Sequence, residues 1–504
     1  MSSPDLYADV VIVGSGMGGG TTAYALAKKG VSVLVLERGD RLPNEKENWG
    51  PKEIFVDKRY KSKEVWVDGR GKDFAPGVHF YVGGNTKLYG AALPRMREKD
   101  FEELKHLEGV SAAWPFTYWD IEPFYVEAEK MYKVHSNSGE DPTEPGRSEP
   151  FPYPALPHEP YIAALADRLR KSGVTPHSNS MGIDFGDDGK CIRCKTCDGF
   201  VCRVGAKSDA EINAINPALL TGKVKLQTLA EVIRIELTDD GRSVEYLVVK
   251  GSSGEYKVRG KKFVLSCGAV LTAALLLRSK SAKAPNGVAN SSDLVGRNFM
   301  MHINTHIAAF DYKRKNDVIF QKTLSFADWY FDGGKGYPLG IVQLIGKVQG
   351  IMMKSYATKV PLAILNYIAD RSVEFLVMTE DLASRDNRVI IDDRNRIHLV
   401  RKPVGMSTHK KLMKRTLKVL RKSGYQAIFK QPFDISMNAH QCGTAVAGSD
   451  PKKSVVDQYC KTYDVDNLYL IDSSFFPSSG AVNPALTIAA QALRVVAKSD
   501  LSNV

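Results

Sequence analysis

An α/β fold is predicted for this chain, with a parallel nucleotide-binding unit near its N-terminus and a second part organised on an antiparallel sheet. Three observations predict it. Residues 9–38 read as strand, glycine turn, helix, strand and acid; short apolar stretches recur between 302 and 429; and 504 residues exceed one ordinary core, so two or three domains are expected.

The first element is the run Val10–Val13, a buried-strand pattern, followed by Gly14, Gly16 and Gly19 in G-x-G-x-x-G spacing directly before a helical stretch. The first glycine permits a tight turn, the second lets a pyrophosphate reach the backbone, and the third lets helix and strand pack closely. Phosphates would sit on the helix N-terminus. Val31–Leu36 make the second strand, and Glu37 follows where a carboxylate can accept hydrogen bonds from both hydroxyls of an adenosine ribose. An acid there disfavours a 2′-phosphate. The motif reads as dinucleotide binding and leaves FAD and NAD open.

The composition, 43% hydrophobic and 25% charged, supplies a large core and points to a globular chain. Its longest apolar stretch, Phe263–Leu277, is interrupted by Ser266, Cys267, Gly268 and Thr272 and falls short of the roughly 20 residues of a bilayer span. No membrane span is expected, and without a charged and apolar leader before the first strand the expected compartment is the cytoplasm. The net charge of +12 raises the question of an anionic partner. Its clearest basic run, Lys410–Lys422, lies on a helical pattern with Met413, Leu417 and Leu420 on one face, so a solvated lysine-rich face is preferred to nucleic-acid binding. Ser407 or Thr408 is expected to cap that helix and Gly424 to end it.

Along the chain, Asp40–Phe74 has no sustained period and reads as loop and short helices. His79–Phe101 carries Gly83, Gly84, Asn85 and Gly90 in a turn-rich stretch where backbone must approach something flat or charged. Ser136–Pro160 holds seven prolines and reads as an irregular, lid-like excursion. Cys191, Cys194, Cys197 and Cys202, spaced C-x2-C-x2-C-x4-C, are close enough to converge on one ion or cluster; free thiols, a disulfide and a structural zinc are the other readings. From Lys223 the pattern is β-rich, and from 302 to about 429 alternating stretches suggest an antiparallel sheet. Within it Phe320–Phe331 places Gln321, Asp328 and Trp329 among several aromatics. Polar groups beside flat rings suit a sugar, and the same pattern suits a strand packed in a core.

Several of these stretches together resemble the glucose-methanol-choline (GMC) oxidoreductases. The stretch GGNTKLYGA, Gly83–Ala91, looks like the family's flavin-contacting loop, and Trp114–Val134 like its aromatic, proline-broken lead into a helix. The segment NAHQCGTAVAG, Asn438–Gly448, resembles its histidine segment, with two residues between His440 and the Gly443-Thr444 pair. Asn467–Val496, with Asp472 and then Asn483-Pro484 opening a helix that carries Thr487, is the most specific match. Within the family the chain looks most like the bacterial pyranose-oxidase-like and C-glycoside 3-oxidase group.

The resemblance implies a discontinuous Rossmann-like FAD-binding domain (1–110, 190–300 and 432–504), of the GMC or p-hydroxybenzoate-hydroxylase type. A connecting segment (111–189) and an α+β substrate domain (301–431) complete it. Where some members carry the histidine that bonds flavin covalently, Leu88 stands, so FAD is expected to be non-covalent. Val232 would contact adenine through its backbone, Asp472 the ribityl and phosphate region, and the helix opened by Asn483 the pyrimidine end of the flavin. A subset of bacterial sugar dehydrogenases holds an iron-sulfur cluster in the cysteine segment with a different spacing, so flavin is expected to be the sole redox cofactor. His440 takes the place of the catalytic base and Asn483 that of its partner. The implied reaction is oxidation of a secondary alcohol of a sugar or glycoside, with oxygen or another acceptor taking the electrons. A sugar dehydrogenase using a quinone or protein acceptor, an alcohol- or choline-type dehydrogenase, a nicotinamide-dependent enzyme and a non-catalytic electron-transfer flavoprotein are the rival readings. The sugar and the oligomeric state are left open.

Overall fold

The computed structural model describes residues 6–334, 336–437 and 440–504. Its first unit is β1 (Leu6–Val13), α1 (Met17–Lys28) and β2 (Val33–Leu36). Both strands are buried on both faces from Val10 to Val13 and from Val33 to Leu36, as strands covered by helices must be. Helix α2 (Tyr118–Met131) begins at a capping box in which Thr117 and Asp120 satisfy each other's backbone N–H groups. Helix α3 (Pro160–Lys171) starts on proline and leads to β3 (Pro176–Ser178). The β-rich block then gives β4 (Val224–Gln227), β5 (Glu231–Leu237), β6 (Val244–Gly251) and β7 (Gly254–Leu265), followed by α4 (Ala269–Arg278). Next come β8 (Ile303–Phe310), β9 (Leu324–Phe326), β10 (Ile341–Leu344), β11 (Ser372–Thr379), α5 (Met406–Lys422) and β12 (Ala427–Pro432). The chain returns with β13 (Leu468–Leu470) and α6 (Ala485–Lys498).

Two sheets organise these elements. The first has the order β4-β2-β1-β7-β6-β5, with β13 added in parallel beside the end of β7. The nucleotide-binding sheet therefore draws on three separated parts of the sequence. The second has the order β12-β8-β11-β10-β9-β3 and is antiparallel throughout. Its two faces do different work because side chains alternate along a strand. Ile307 and Ala309 of β8 and Val373, Phe375 and Val377 of β11 enter one core with Leu165 and Leu169 of α3 and Leu412 and Leu420 of α5. Leu376 and Met378 point the other way, into the core of the nucleotide-binding part. Asn304 shares that second face, opposite Met378.

Within the connecting segment 111–189, α2 packs on α6, β3 is an edge strand of the second sheet, and α3 packs into the core on one face of that sheet. Between Ser136 and Glu159 the chain has no helix or strand of its own, as its prolines require. In α5 neither Ser407 nor Thr408 is the cap. Gly405 precedes the helix, and the carboxylate of Glu108, from a distant loop, accepts the N–H groups of Ser407 (2.9 Å) and Thr408 (3.1 Å). An acid at that end also meets the positive end of the helix dipole. Gly424 follows the helix in the left-handed region, φ +94°.

The third motif glycine has a clear packing role. A Cβ on Gly19 would lie 2.0 Å from the carbonyl oxygen of Gly14, so α1 could not stay where it is. Gly19→Ala is expected to destabilise the protein by about 1–3 kcal/mol, a cost typical of overpacking. It should also lower flavin content, both measured by thermal unfolding and by absorbance of the purified protein.

Candidate active site

The G-x-G-x-x-G turn opens on a cavity of about 820 Å³ that runs from Gly14, Gly16 and Glu37 to His440 and Asn483. Gly14 holds φ +97°, and a Cβ there would strike the Ser266 carbonyl oxygen at 2.4 Å. Gly16 differs: a Cβ on it would meet no protein atom within 4 Å, so its open side faces the cavity. Helix α1 begins there without a side-chain cap and without an acid in its first turn. Its first N–H groups are therefore left for an anionic ligand. Glu37, at the end of β2, is buried and already accepts from Ser15 N (3.0 Å), Ser15 Oγ (2.5 Å) and Gly39 N (3.0 Å). Burial pushes its pKa up against the lowering effect of those bonds. Ser15 Oγ also accepts from Gly83 N (3.0 Å), which fixes the second glycine loop against the first.

That second loop turns at Gly83 and Gly84, with φ of +91° and +56°. Asn85 holds it from within, its Oδ1 accepting from His79 N (2.9 Å). Leu88 is buried on the cavity wall beside Tyr60 and Val201. Val232, in β5, lines the opposite end, where the pairing with β6 is bulged. Asp472, after β13, lines the cavity and clamps its surroundings. Its Oδ2 accepts from Gly268 N (2.9 Å) and Thr272 Oγ1 (2.5 Å), and its Oδ1 from Ser474 N (2.7 Å). Pro484 caps α6, another helix whose first turn carries no acid and no side-chain cap, and its N-terminal end also faces the cavity.

At that end His440 and Asn483 come together, with Asn483 Nδ2 3.5 Å from His440 Nε2. His440 Nδ1 lies 3.1 Å from Nδ1 of the buried His302. Loss of water around the ring, and then the neighbouring His302, push the pKa of His440 down to about 3, so it is neutral across the ordinary pH range. Among the side-chain amides that line the same cavity are Asn304, Gln441 and Asn483. Asn304 Oδ1, Gln441 Nε2 and Asn483 Oδ1 are buried with no hydrogen-bond partner among the described residues. Buried polar atoms are rarely left unpaired, and these three are within reach of whatever the cavity holds, ligand or water. Asn438 and Ala439, at the start of the histidine segment, lie outside the described residues.

Other expected residues lie elsewhere. Thr487 turns away from the cavity and bonds Tyr125 of α2 (2.7 Å). Gln321, Asp328 and Trp329 are not brought to His440. Gln321 Nε2 donates to Glu374 Oε2 (2.6 Å) and Ile345 O (3.0 Å), Asp328 accepts from Thr175 N (2.9 Å), and Trp329 packs on the second core beside Arg415. The reason is register: this stretch enters the sheet at β9, three strands from β8. Cys191, Cys194, Cys197 and Cys202 are free and half-buried, and no group of three or more His, Cys, Asp or Glu among the described residues could hold a metal. Sequence reasoning missed His302, Asn304 and Gln441. Asn304 had a signal, a polar residue among alternating apolar ones in INTHIAAF; His302 had none.

A dinucleotide cradle and a neutral histidine beside an amide, on one cavity, are the parts of a dinucleotide-dependent oxidoreductase. The chain matches the GMC oxidoreductase family over residues 164–304 and 361–492, and a NAD(P)-binding Rossmann-like domain over residues 12–44. It belongs to the GMC oxidoreductase family. It is 29% identical over 529 residues to 6'''-hydroxyparomomycin C oxidase of Streptomyces lividus, covering 96% of this chain and 90% of that one. Fructose dehydrogenase large subunit of Gluconobacter japonicus is 27% identical, with 98% of each chain covered. Among solved structures, pyridoxine 4-oxidase from Mesorbium loti superposes with a TM-score of 0.69 at 18% identity, over 97% of this chain and 99% of that one. Formate oxidase of Aspergillus oryzae RIB40 gives 0.71 at 15%, over 98% of each.

The protein is thus an FAD-dependent oxidoreductase acting on CH–OH groups, and its cavity fits that cofactor: an open glycine turn, two uncapped helix ends and a buried acid at the end of β2. With Leu88 on the wall in place of a nucleophile, acid precipitation should release the yellow colour into the supernatant. A yellow pellet that survives washing would contradict non-covalent binding.

Proposed function

We propose that the protein oxidises a secondary alcohol of a sugar or glycoside to the carbonyl, with His440 as the base and oxygen or another acceptor re-oxidising the cofactor. One observation carries the substrate class: three amides with unpaired buried atoms share the cavity with His440. A simple alcohol offers one hydroxyl to whichever of those atoms bound FAD leaves open, and each atom left unpaired costs about 1–3 kcal/mol. A polyhydroxylated ring can satisfy them. The names of the relatives, an aminoglycoside oxidase and a fructose dehydrogenase, support the same class. The secondary position rests on the family resemblance of the sequence.

FAD, when bound, supplies the two-electron acceptor for the hydride that leaves the alcohol carbon. The chain supplies the rest. His440 Nε2 accepts the hydroxyl proton as the C–H bond breaks, and Asn483 Nδ2 donates to the same oxygen, so the C–O bond becomes C=O without free alkoxide. The 3.5 Å separation of those two nitrogens marks where that oxygen belongs.

Anaerobic mixing with free pyranoses, methyl glycosides, primary alcohols and choline, followed by flavin bleaching, tests the substrate class. Pyranoses or glycosides should bleach fastest; faster reduction by simple primary alcohols or choline overturns it. Removal of a general base commonly costs about 10² to 10⁴ in rate. His440→Ala is therefore expected to keep FAD and fold yet reduce flavin at least about a hundredfold more slowly, and Asn483→Ala to lose less. Because the pKa of His440 is pushed down to about 3, activity that needs its neutral form is lost only as pH falls through that value. The limiting rate of flavin reduction should show no acid limb at the ordinary histidine pKa of about 6.5. Stopped-flow measurements from pH 5 to 8 check this.

A further inference from the structure

The ring of His302 lies between two sets of partners that together decide where its hydrogen is. It is 1% exposed, just before β8. Its Nε2 lies 3.2 Å from the carbonyl oxygen of Ser479 and 3.0 Å from that of Gly480. Carbonyl oxygens only accept, so this nitrogen carries the hydrogen. Burial, the larger effect, lowers the pKa of His302, and its charged neighbours Glu380 and Arg401 act in opposite directions. The neutral ring has a single N–H, which leaves Nδ1 as a bare acceptor.

That acceptor faces His440 Nδ1 at 3.1 Å. Two imidazole nitrogens at this distance form a hydrogen bond only when one of them is protonated, and His302 has no second hydrogen to give. His440 Nδ1 therefore carries it. A neutral His440 then has an unprotonated Nε2, the nitrogen that faces the amide nitrogen of Asn483. An amide N–H there meets a lone pair, so the chain of donors and acceptors closes from Gly480 to Asn483 without a mismatch.

We propose that His302 is a positioning residue that holds His440 in the Nδ1–H tautomer, with its bare Nε2 turned towards the substrate hydroxyl. The same ring grips the carbonyls of Ser479 and Gly480, a few residues before Asn483. It thereby ties both members of the pair to the start of β8 in the second sheet. In the other tautomer His440 Nε2 would present a hydrogen to the hydroxyl and could not take its proton. The proposal rests on His440 as the base.

The test has one readout that needs no substrate. Full-length FAD-loaded protein labelled with ¹⁵N-histidine is examined by two-bond ¹H–¹⁵N correlation, with the His440 signals identified by their loss in His440→Ala. The wild type should show a protonated Nδ1 and an unprotonated Nε2, and His302→Leu should populate the opposite form. A wild-type His440 protonated on Nε2 overturns the proposal whatever the substrate, and decides it even where His302→Leu does not accumulate. The second readout is flavin reduction by the fastest pyranose or methyl glycoside of the panel above. His302→Leu should lower the limiting rate about 10- to 100-fold, the size of effect seen when metal-ligating histidines lose the partner that orients them. Its apparent Kd should change less than about threefold, and His302→Gln, whose amide both accepts and donates, should recover part of the rate. Wild-type rates in His302→Leu with slow His440→Ala would sink this proposal alone. Wild-type rates in His440→Ala would instead sink the base assignment.

Discussion

One turn of glycines in α1 sets what the rest of the molecule can do. Gly18, Gly19 and Gly20 each allow a different segment to reach the helix. A Cβ on Gly18 would sit 1.9 Å from the carbonyl oxygen of Ile471, one on Gly19 would strike Gly14, and one on Gly20 would press on Ala210 and Ala214. Backbone therefore touches backbone where side chains would hold elements apart. The strand that delivers Asp472 can lie beside the G-x-G-x-x-G turn only because of that contact. The glycine turn and the His440–Asn483 end of the cavity are parts of one packing arrangement.

The second sheet adds a wall rather than a lid. Its strands show one face to a core under α3 and α5 and the other to the nucleotide-binding part. Period-two alternation thus makes a polar residue on β8 belong to either a core or a site, according to its parity. Asn304 has the parity of the cavity. Gln321, before β9, has a polar side chain with buried partners of its own, Glu374 and Asn316, and serves the interior.

This explains what could be read from the sequence. The glycine turn, Glu37, the Asn85 loop and the Asn483-Pro484 helix start are local signals: neighbouring residues carry the whole physical reason. His440 and Asn483 lie far apart in sequence, and their meeting was legible only through resemblance to a family. His302 was not legible at all, because its role depends on two carbonyls nearly 180 residues away. The aromatic stretch at 320–331 misled because a sugar platform and a core strand look alike until the register is known. The cap of α5 escaped for the same reason, since Glu108 is some 300 residues from the helix it serves.

The addition of β13 beside β7 has a consequence for how the protein comes into being. A ribosome delivers β1, β2 and the glycine turn first, then β7, and some two hundred residues pass before Leu468–Leu470 can join their sheet. Until then Ile471 and Asp472 are missing from the wall on which α1 closes, and the far end of the cavity has neither His440 nor Asn483. The nascent chain must hold an unfinished parallel sheet, whose unpaired edge is prone to the wrong partners, until β13 has emerged. The cavity is in this sense complete only in a chain whose α6 has left the tunnel.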